Sequence, residues 1–186
     1  NIDRPSMGWN FLLDQARGRY LATMDDDNEK LPSFVEVMSG VLDREPAVGL
    51  VTCGFIVRTA GQPDWEHHHN LNTKAEVTEL VSTCEGGAML YRREAFQLVG
   101  YYSEYLRTNE DWDWVRRAAR VLVVRNLPTC HSVYHQHSTN RQLRADELGH
   151  HADVATLKGE QSLPRRVQPG ISARLYIGPK ARGGVQ

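Results

Sequence analysis

Three consecutive carboxylates, Asp25, Asp26 and Asp27, are the strongest candidates for chemistry in this chain. They follow an apolar run, 18–24, that predicts a buried strand. Adjacent carboxylates repel one another, so three of them at the end of a strand are costly unless a cation or substrate hydroxyl groups compensate. An acidic turn that only caps the next helix is the alternative, but capping needs one carboxylate and not three. Hard oxygen ligands suit Mg²⁺ or Mn²⁺, so the pattern predicts a metal or ligand site.

A second acidic cluster opens a predicted helix over 110–118 and alternates with Trp112 and Trp114. Acids at the start of a helix and arginines at its end suit the helix macrodipole, which explains the charges without a ligand. The macrodipole does not explain the tryptophans, because flat aromatic side chains beside carboxylates commonly hold a sugar ring. The cluster therefore indicates a ligand site, with a purely structural helix start as the alternative.

Paired glycines and late histidines are weaker candidates. Gly86 and Gly87 interrupt a predicted strand over 83–91, which indicates either the close approach of a ligand or a plain bulge. In the segment 129–137, one histidine can complete a metal shell, because neutral imidazole is a common ligand in Mn²⁺-type sites. His135 and His137 are both possible on the pattern alone.

Three further histidines, His67, His68 and His69, lie in a polar segment, 58–73, that predicts a surface loop. Successive side chains do not all point the same way, and no second ligand motif lies nearby in sequence. We do not expect a metal site there. The loop can instead cover an acceptor, since specificity often lies in such insertions.

Helices and strands alternate around these candidates. Predicted helices cover 8–16, 31–44, 76–81, 93–99, 110–118 and 143–158, and further strands cover 48–57 and 121–124. Residues 48–57 are β-branched and nearly continuously apolar, which predicts a strand buried on both faces. The order strand, acidic turn, helix places the acids at a strand's carboxyl end, where open α/β sheets bind ligands.

Composition excludes several classes of protein. With 186 residues, 40% hydrophobic and 24% charged, the chain suits one compact domain. A net charge of −1 argues against a nucleic-acid binder. We find no apolar run that would span a bilayer and no signal peptide, which favours a cytoplasmic location. Cys53, Cys84 and Cys130 lack metal-ligand spacing, so reduced thiols are the simplest interpretation and a single disulfide is the alternative.

The composition changes at Gly159. We therefore predict a catalytic region over 1–158 and a basic tail, rich in proline and glycine, over 159–186. Such a tail builds no core of its own. It can contact the domain, a partner or an anionic membrane surface as a peripheral association.

Three segments in this order resemble motifs of the family-2 glycosyltransferases with the GT-A fold. Residues 16–28 are similar to the family's A-x-G-x-Y-hydrophobic-D-x-D stretch, and 86–96 are similar to its acceptor-side strand and helix. Residues 109–114 resemble its E-D motif. The resemblance spans most of 1 to about 140. It implies an α/β fold of the GT-A type, a Rossmann-like mixed sheet flanked by helices.

The resemblance also implies roles. Asp111 matches the aspartate of the E-D motif and would be the general base, with Glu110 or Asp113 orienting the acceptor. Trp112, Gly86 and Gly87 fall on the acceptor side. The segment 134–138 is similar to a Y-x-x-H-S pattern near the donor phosphates, which favours His137 as a donor or metal ligand.

The expected reaction is transfer of a sugar from a nucleotide-diphospho-sugar, UDP-linked in the resembled family, to an acceptor hydroxyl group. Mn²⁺ or Mg²⁺ at Asp25 and Asp27 would neutralise the diphosphate. Asp26 would contact the donor ribose or shape the turn. One base and no separate nucleophile imply direct displacement with inversion. The acceptor would be a glycan, a lipid-linked molecule or a small molecule.

Two alternatives stay open. A metal-dependent phosphohydrolase uses similar Asp and His ligands, although it would need ligands for two ions. A non-catalytic glycosyltransferase-like binding module is the second alternative. In the resembled family, the strands that grip the nucleotide base precede the region matching 1–16, so we expect this chain to lack that N-terminal segment.

Overall fold

Two long strands form the centre of the sheet in the computed structural model, which describes residues 4–68 and 86–140. β3 (Val48–Thr59) lies parallel to β6 (Val123–Gln136). The first eight residues of β3 are buried, which confirms the predicted strand with two covered faces. The predicted strand 121–124 and the pattern at 129–137 belong to one continuous strand, whose pairing with β3 contains register shifts around Gly54.

Shorter strands extend this pair into a mixed sheet. They are β1 (Tyr20–Leu21), β2 (Glu29–Lys30), β4 (Trp65–His67) and β5 (Met89–Arg92). The strand order is β1-β5-β3-β6-β2, and β4 also pairs with β3. All pairings except β3 with β6 are antiparallel. The mixed sheet confirms the predicted fold class.

Helices cover both faces of the sheet. They are α1 (Pro5–Gln15), α2 (Phe34–Arg44), α3 (Arg93–Val99) and α4 (Glu110–Val121), and a 3-10 turn covers Gly86–Ala88. α2 packs with Val51 and Val57 of β3 on one face. On the other face, α3 and α4 pack with Leu50 and Tyr91. None of the helices in the described ranges has both the length and the apolar character that a bilayer crossing requires.

Four predicted helices are confirmed, two of them with shifted starts. α1 begins at Pro5 and not at Gly8. α2 begins at Phe34 and not at Leu31, because the N–H of Leu31 donates to the carbonyl of His131 at 2.9 Å and continues the contact with β6. The predicted helices 76–81 and 143–158 and the tail 159–186 lie outside the described residues.

One strand prediction and, in its described part, one loop prediction are wrong. The predicted buried strand 18–24 is reduced to the two residues of β1, and Met24 is 52% exposed. β1 pairs only with β5 at the end of the sheet, and the chain then leaves the sheet. In the predicted loop 58–73, β3 continues to Thr59 and β4 pairs with β3 at 55–57. The reason is that β5 pairs with only 50–52 of β3 and leaves the rest of that edge to β4.

Candidate active site

The two acidic clusters line one cavity of about 330 Å³, although they are far apart in sequence. This volume lies at the lower end of the range of ligand-binding clefts, about 300 to 1,000 Å³. The residues that line it are Pro5, Trp9, Thr23, Asp25, Asp26, Asp27, Asn28, Gly86, Tyr102, Glu110, Asp111, Tyr134 and Asn140. α1, the acidic loop after β1, the start of α4 and the end of β6 therefore meet around one space.

Side-chain hydrogen bonds hold the acidic loop at its two ends. Thr23 Oγ1 donates to the carbonyl of Gly86 at 2.7 Å. Asn28 Nδ2 donates to Asp25 Oδ2 at 3.2 Å, and Asn28 Oδ1 accepts from the backbone N–H of His135 at 3.1 Å. Asn28 therefore links Asp25 to β6 and fixes the position of the Asp25 carboxylate.

Asp27 contacts the turn that follows β6. Its Oδ2 lies 3.0 Å from His137 Nε2 and 3.4 Å from Asn140 Nδ2. The other ring nitrogen of His137 lies 2.8 Å from Thr139 Oγ1. Asn140 is buried and also donates to the carbonyl of His135 at 3.1 Å. The turn thus orients the Asp27 carboxylate.

Asp111 is half-buried and lines the wall of the cavity. Burial raises the pKa of its carboxyl to about 6, and the nearby charge of Asp25 also raises it. Hydrogen bonds from the backbone N–H groups of Trp112, at 2.7 Å, and of Gly86 act in the opposite direction. The result is a carboxylate that accepts a proton more readily than an exposed aspartate.

The acidic loop carries excess negative charge. Burial raises the pKa of Asp25, and the charges of Asp27 and Asp26 raise it further. A bound cation would relieve this repulsion, and the oxygen donors suit Mg²⁺ or Mn²⁺. Among residues 4–68 and 86–140, the donor atoms of Asp25, Asp27 and His137 do not all lie within 4.8 Å of one another. The acids therefore fit a cation that takes further ligands from a bound substrate or water.

An aromatic wall stands behind the acids. Tyr102 lines the cavity, and its hydroxyl lies 3.0 Å from that of the buried Tyr91. Burial raises the pKa of Tyr91 to about 12, so its hydroxyl keeps its proton. Asn10 of α1 holds the wall in place: its Nδ2 donates to the carbonyl of Tyr102, and its Oδ1 accepts from the N–H of Tyr102, both at 3.0 Å.

Several residues that sequence reasoning singled out lie elsewhere. Asp113 Oδ2 accepts from Arg117 Nε at 2.9 Å inside the protein, and Trp112 is 2% exposed. Neither lines the cavity. Gly87 is buried in the 3-10 turn beside the cavity residue Gly86. His135 Nε2 lies 2.7 Å from Glu29 Oε1 at the protein surface.

Sequence reasoning also missed residues that the structure brings to the cavity. Thr23 and Tyr134 lie within the segments 16–28 and 134–138 without having been assigned a role, and Tyr102 and Asn140 stand in no recognisable motif. The Y-x-x-H-S pattern at 134–138 directs attention to His137 and not to Tyr134. The available signal for Asn140 is its position just after that pattern.

Comparison with known proteins identifies the family and the fold. The family model described as "Glycosyl transferase family 2" matches residues 3–100. The structure of S. aureus TarS 1-349 aligns with a TM-score of 0.57 at 14% identity, over 73% of this chain and 41% of that one. A second S. aureus TarS structure aligns with a TM-score of 0.56 at 17% identity, over 73% of this chain and 25% of that one.

A third solved structure is glucosyl-3-phosphoglycerate synthase from Mycobacterium tuberculosis, in complex with Mn²⁺, UDP-glucose and phosphoglyceric acid. It has a TM-score of 0.48 and 18% identity over 84% of this chain and 56% of that one, and this score is too low to support an inference about ligands. No curated protein matches the chain. The chain spans 41% of the length of TarS 1-349, and identities this low show the fold alone.

Proposed function

The chain belongs to glycosyl transferase family 2, and from this premise we propose that it transfers a sugar from a nucleotide-diphospho-sugar to an acceptor hydroxyl group, with inversion and with a divalent cation. The observation that carries the proposal is the shared cavity. Asp25, Asp26 and Asp27 line it from one side, and Glu110 and Asp111 from another. A donor and an acceptor must meet in one such space for direct transfer.

The acidic loop would bind the donor. Asp25 and Asp27 would hold Mn²⁺ or Mg²⁺, and Asp26 would contact the donor ribose or shape the turn. The bound cation would neutralise the diphosphate and so stabilise the leaving nucleoside diphosphate. His137 and Asn140 hold Asp27 in place, as groups behind metal-binding carboxylates commonly do.

Asp111 would act as the general base. A carboxyl pKa of about 6 leaves the group ionised at neutral pH and close to the pH at which it must accept a proton. It would take the proton of the acceptor hydroxyl as the acceptor oxygen bonds to the anomeric carbon and the bond to the diphosphate breaks. Glu110 would orient the acceptor. One displacement by the acceptor itself inverts the configuration at the anomeric carbon.

The substrate classes follow from this scheme. UDP-sugars are the first donors to test, and the acceptor is a glycan, a lipid-linked molecule or a small molecule with a hydroxyl group. Reaction in the cytoplasm, with peripheral membrane contact through the basic tail 159–186, is part of the same proposal.

Incubation of the purified full chain with Mn²⁺, a panel of nucleotide-sugars and mixed acceptors tests this proposal. The assay measures released nucleoside diphosphate, and NMR reads the anomeric configuration of the product. We expect D27A and D111N to lose at least about 100-fold in rate. D64N is the matched control, because Asp64 pairs with Arg58 at the surface and does not line the cavity.

The same assay separates the alternatives. Full activity of D111N, or a product with retained configuration, would contradict the proposal. Release of inorganic phosphate without sugar transfer would support a phosphohydrolase. Absence of nucleotide binding and turnover in the wild-type chain would favour a non-catalytic module.

A further inference from the structure

A second group of metal-binding side chains lies across three neighbouring strands. In the sheet, Gly54 of β3 pairs with Cys130 of β6. On its other edge, the antiparallel register of β4 pairs Phe55 with His67, which places His68 opposite Gly54. His68, Gly54 and Cys130 thus form one row across the sheet, with the glycine in the middle.

The side chains on either side of the glycine approach each other. His68 Nδ1 lies 4.0 Å from Cys130 Sγ, and His68 Nε2 lies 2.8 Å from Glu66 Oε2. Glu66 and His68 are two residues apart, the spacing that directs side chains to the same face of an extended segment. One donor atom from each of Glu66, His68 and Cys130 lies within 4.8 Å of the other two.

Gly54 makes this approach possible. A Cβ atom at this position would lie 2.9 Å from both Cys130 Sγ and His68 Nδ1, and 2.8 Å from the carbonyl oxygen of His67. Real Cβ atoms do not tolerate such distances, so any other residue would force the thiol and the imidazole apart. Neighbouring strands are about 4.8 Å apart, so side chains two strands apart meet only over a residue that has none.

We propose that Glu66, His68 and Cys130 bind Zn²⁺, with a water molecule as the fourth ligand. Tetrahedral zinc with bonds of about 2.3 Å to sulfur and about 2.05 Å to nitrogen separates these two atoms by about 3.6 Å. The observed 4.0 Å therefore needs only a small adjustment of side chains, two of which are exposed. On binding, the thiol of Cys130 loses its proton to solvent and coordinates as the thiolate.

The donor chemistry distinguishes this site from the acidic cavity. A thiolate with imidazole selects Zn²⁺ over Mg²⁺ or Mn²⁺, whereas the acidic loop offers hard oxygen atoms. None of Glu66, His68 and Cys130 lines the cavity. The bound ion would join β4 to β6 across β3. It would thereby stabilise the position of β4, the strand that precedes residues 69–85. The inference is independent of the proposed transfer reaction.

No ligand motif is visible here in the sequence, because Cys130 lies 62 residues after His68. The expectation that the three histidines form no metal site rests on their adjacency and on the lack of a second ligand motif nearby in sequence, and neither criterion detects a ligand from a distant strand. Of the run 67–69, the structure describes His67 and His68, and only His68 belongs to the group with Glu66 and Cys130.

Cobalt substitution tests the site in the full chain. A C84S background removes the cysteine outside the described residues. Titration of the metal-stripped protein with Co²⁺ should produce a thiolate-to-cobalt charge-transfer band that saturates at one equivalent and disappears when Zn²⁺ is added. C130S should lose the band, and E66Q should weaken Co²⁺ binding by at least about tenfold.

C53S is the matched control, because Cys53 is buried and its thiol donates to the carbonyl of Ala88. C53S should keep the charge-transfer band.

H68Q provides a variant that leaves the core unchanged, since His68 is exposed, and it should lose tight binding of Co²⁺. A band that survives in C130S, or no band in the C84S protein, would overturn the proposal. Zn²⁺ should also protect Cys130 from alkylation, and unchanged alkylation would count against the site.

Discussion

Asp111, the proposed general base, lies in a different environment from a carboxylate that only forms an ion pair. Its half-buried carboxyl lies near the charge of Asp25 and accepts hydrogen bonds from the backbone N–H groups of Trp112, Gly86 and Asp111 itself. Both burial and the neighbouring charge favour its protonated form over the charged one. Such an arrangement lowers stability at neutral pH, and its use as a base would explain why the fold keeps it.

D111N should therefore stabilise the metal-free protein at neutral pH. The folded state has a carboxyl pKa of about 6 against an ordinary value of 3.8, so between these values it binds more protons than the unfolded state. The protonated Asp111 carboxyl contributes fully to the stability of the folded state below pH 3.8. This contribution is lost as the pH rises through about 6, the pKa in the folded state. Urea unfolding in chelator should show D111N more stable than wild type at pH 7.5 by up to about 3 kcal/mol. The difference should fall towards zero near pH 4. The same difference at both pH values would contradict the assignment.

Asn140 should matter for ligand binding although it carries no charge. It is buried and contacts Asp27, and N140A would leave that carboxylate less firmly oriented. We expect the affinity for Mn²⁺ with UDP to fall about 10- to 100-fold in isothermal titration calorimetry. S138A, in the same turn and exposed, should bind as wild type does. Equal affinities of N140A and wild type would show that the contact is incidental.

At the scale of elements, the first two residues of α4 line the cavity, whereas the residues that follow them pack in the core. Its N-cap residue, Asn109, has a left-handed backbone (φ 57°), after which Glu110 and Asp111 face the cavity. The following residues turn into the core: Trp114 Nε1 donates to the carbonyl of Gly100 at 2.9 Å. Asp113 pairs with Arg117, whose guanidinium also donates to the carbonyls of Val99 and Tyr101.

Substitutions at Asp113 and Glu110 should separate these functions. D113N leaves the buried Arg117 without its charged partner, so the free energy of unfolding should fall by about 3 kcal/mol with the acceptor KM unchanged. E110Q should do the reverse and raise the acceptor KM with little effect on stability. Urea unfolding and steady-state kinetics of both variants make the comparison. A raised acceptor KM in a fully stable D113N protein would return Asp113 to the acceptor site.

Local patterns predicted part of this architecture. The apolar run of β3 and the spacing in α1, α2 and α4 were visible in the sequence, and the acidic clusters stood out by their charge. β4 and the shortness of β1 were not visible, because both depend on which stretch of β3 or β5 is available for pairing. Trp112 suited a core helix and a sugar platform equally well in sequence. The burial of Trp112 in the structure distinguishes the two interpretations and favours the core helix.

On the scale of the whole molecule, the cavity exists because β6 returns beside β3. Asn28 accepts from the N–H of His135, and Asp27 contacts His137, so the acidic loop is held by the end of the last described strand. Glu110 and Asp111, at the start of α4, line another side of the cavity. Ligand binding at this junction should therefore stabilise the fold as a unit.

Thermal unfolding should show this coupling. UDP with Mn²⁺ at about 100 times its dissociation constant should stabilise the full chain by about 2.7 kcal/mol. Chelation of the metal should remove the shift in Tm, and D27A should show none. D64N, with its substitution at the surface, should keep it. A Tm that UDP raises equally in chelator would contradict the metal requirement.

The pairing of β3 with β6 joins stretches separated by residues 60–122. Non-local parallel pairing is slow to form, because much chain entropy is lost before contacts compensate for it. During synthesis, the acidic loop leaves the ribosome long before its partners at 134–140. The nascent protein therefore carries its three adjacent carboxylates without the groups that orient them, and the proposed donor site is complete only after residues 134–140 have joined the sheet.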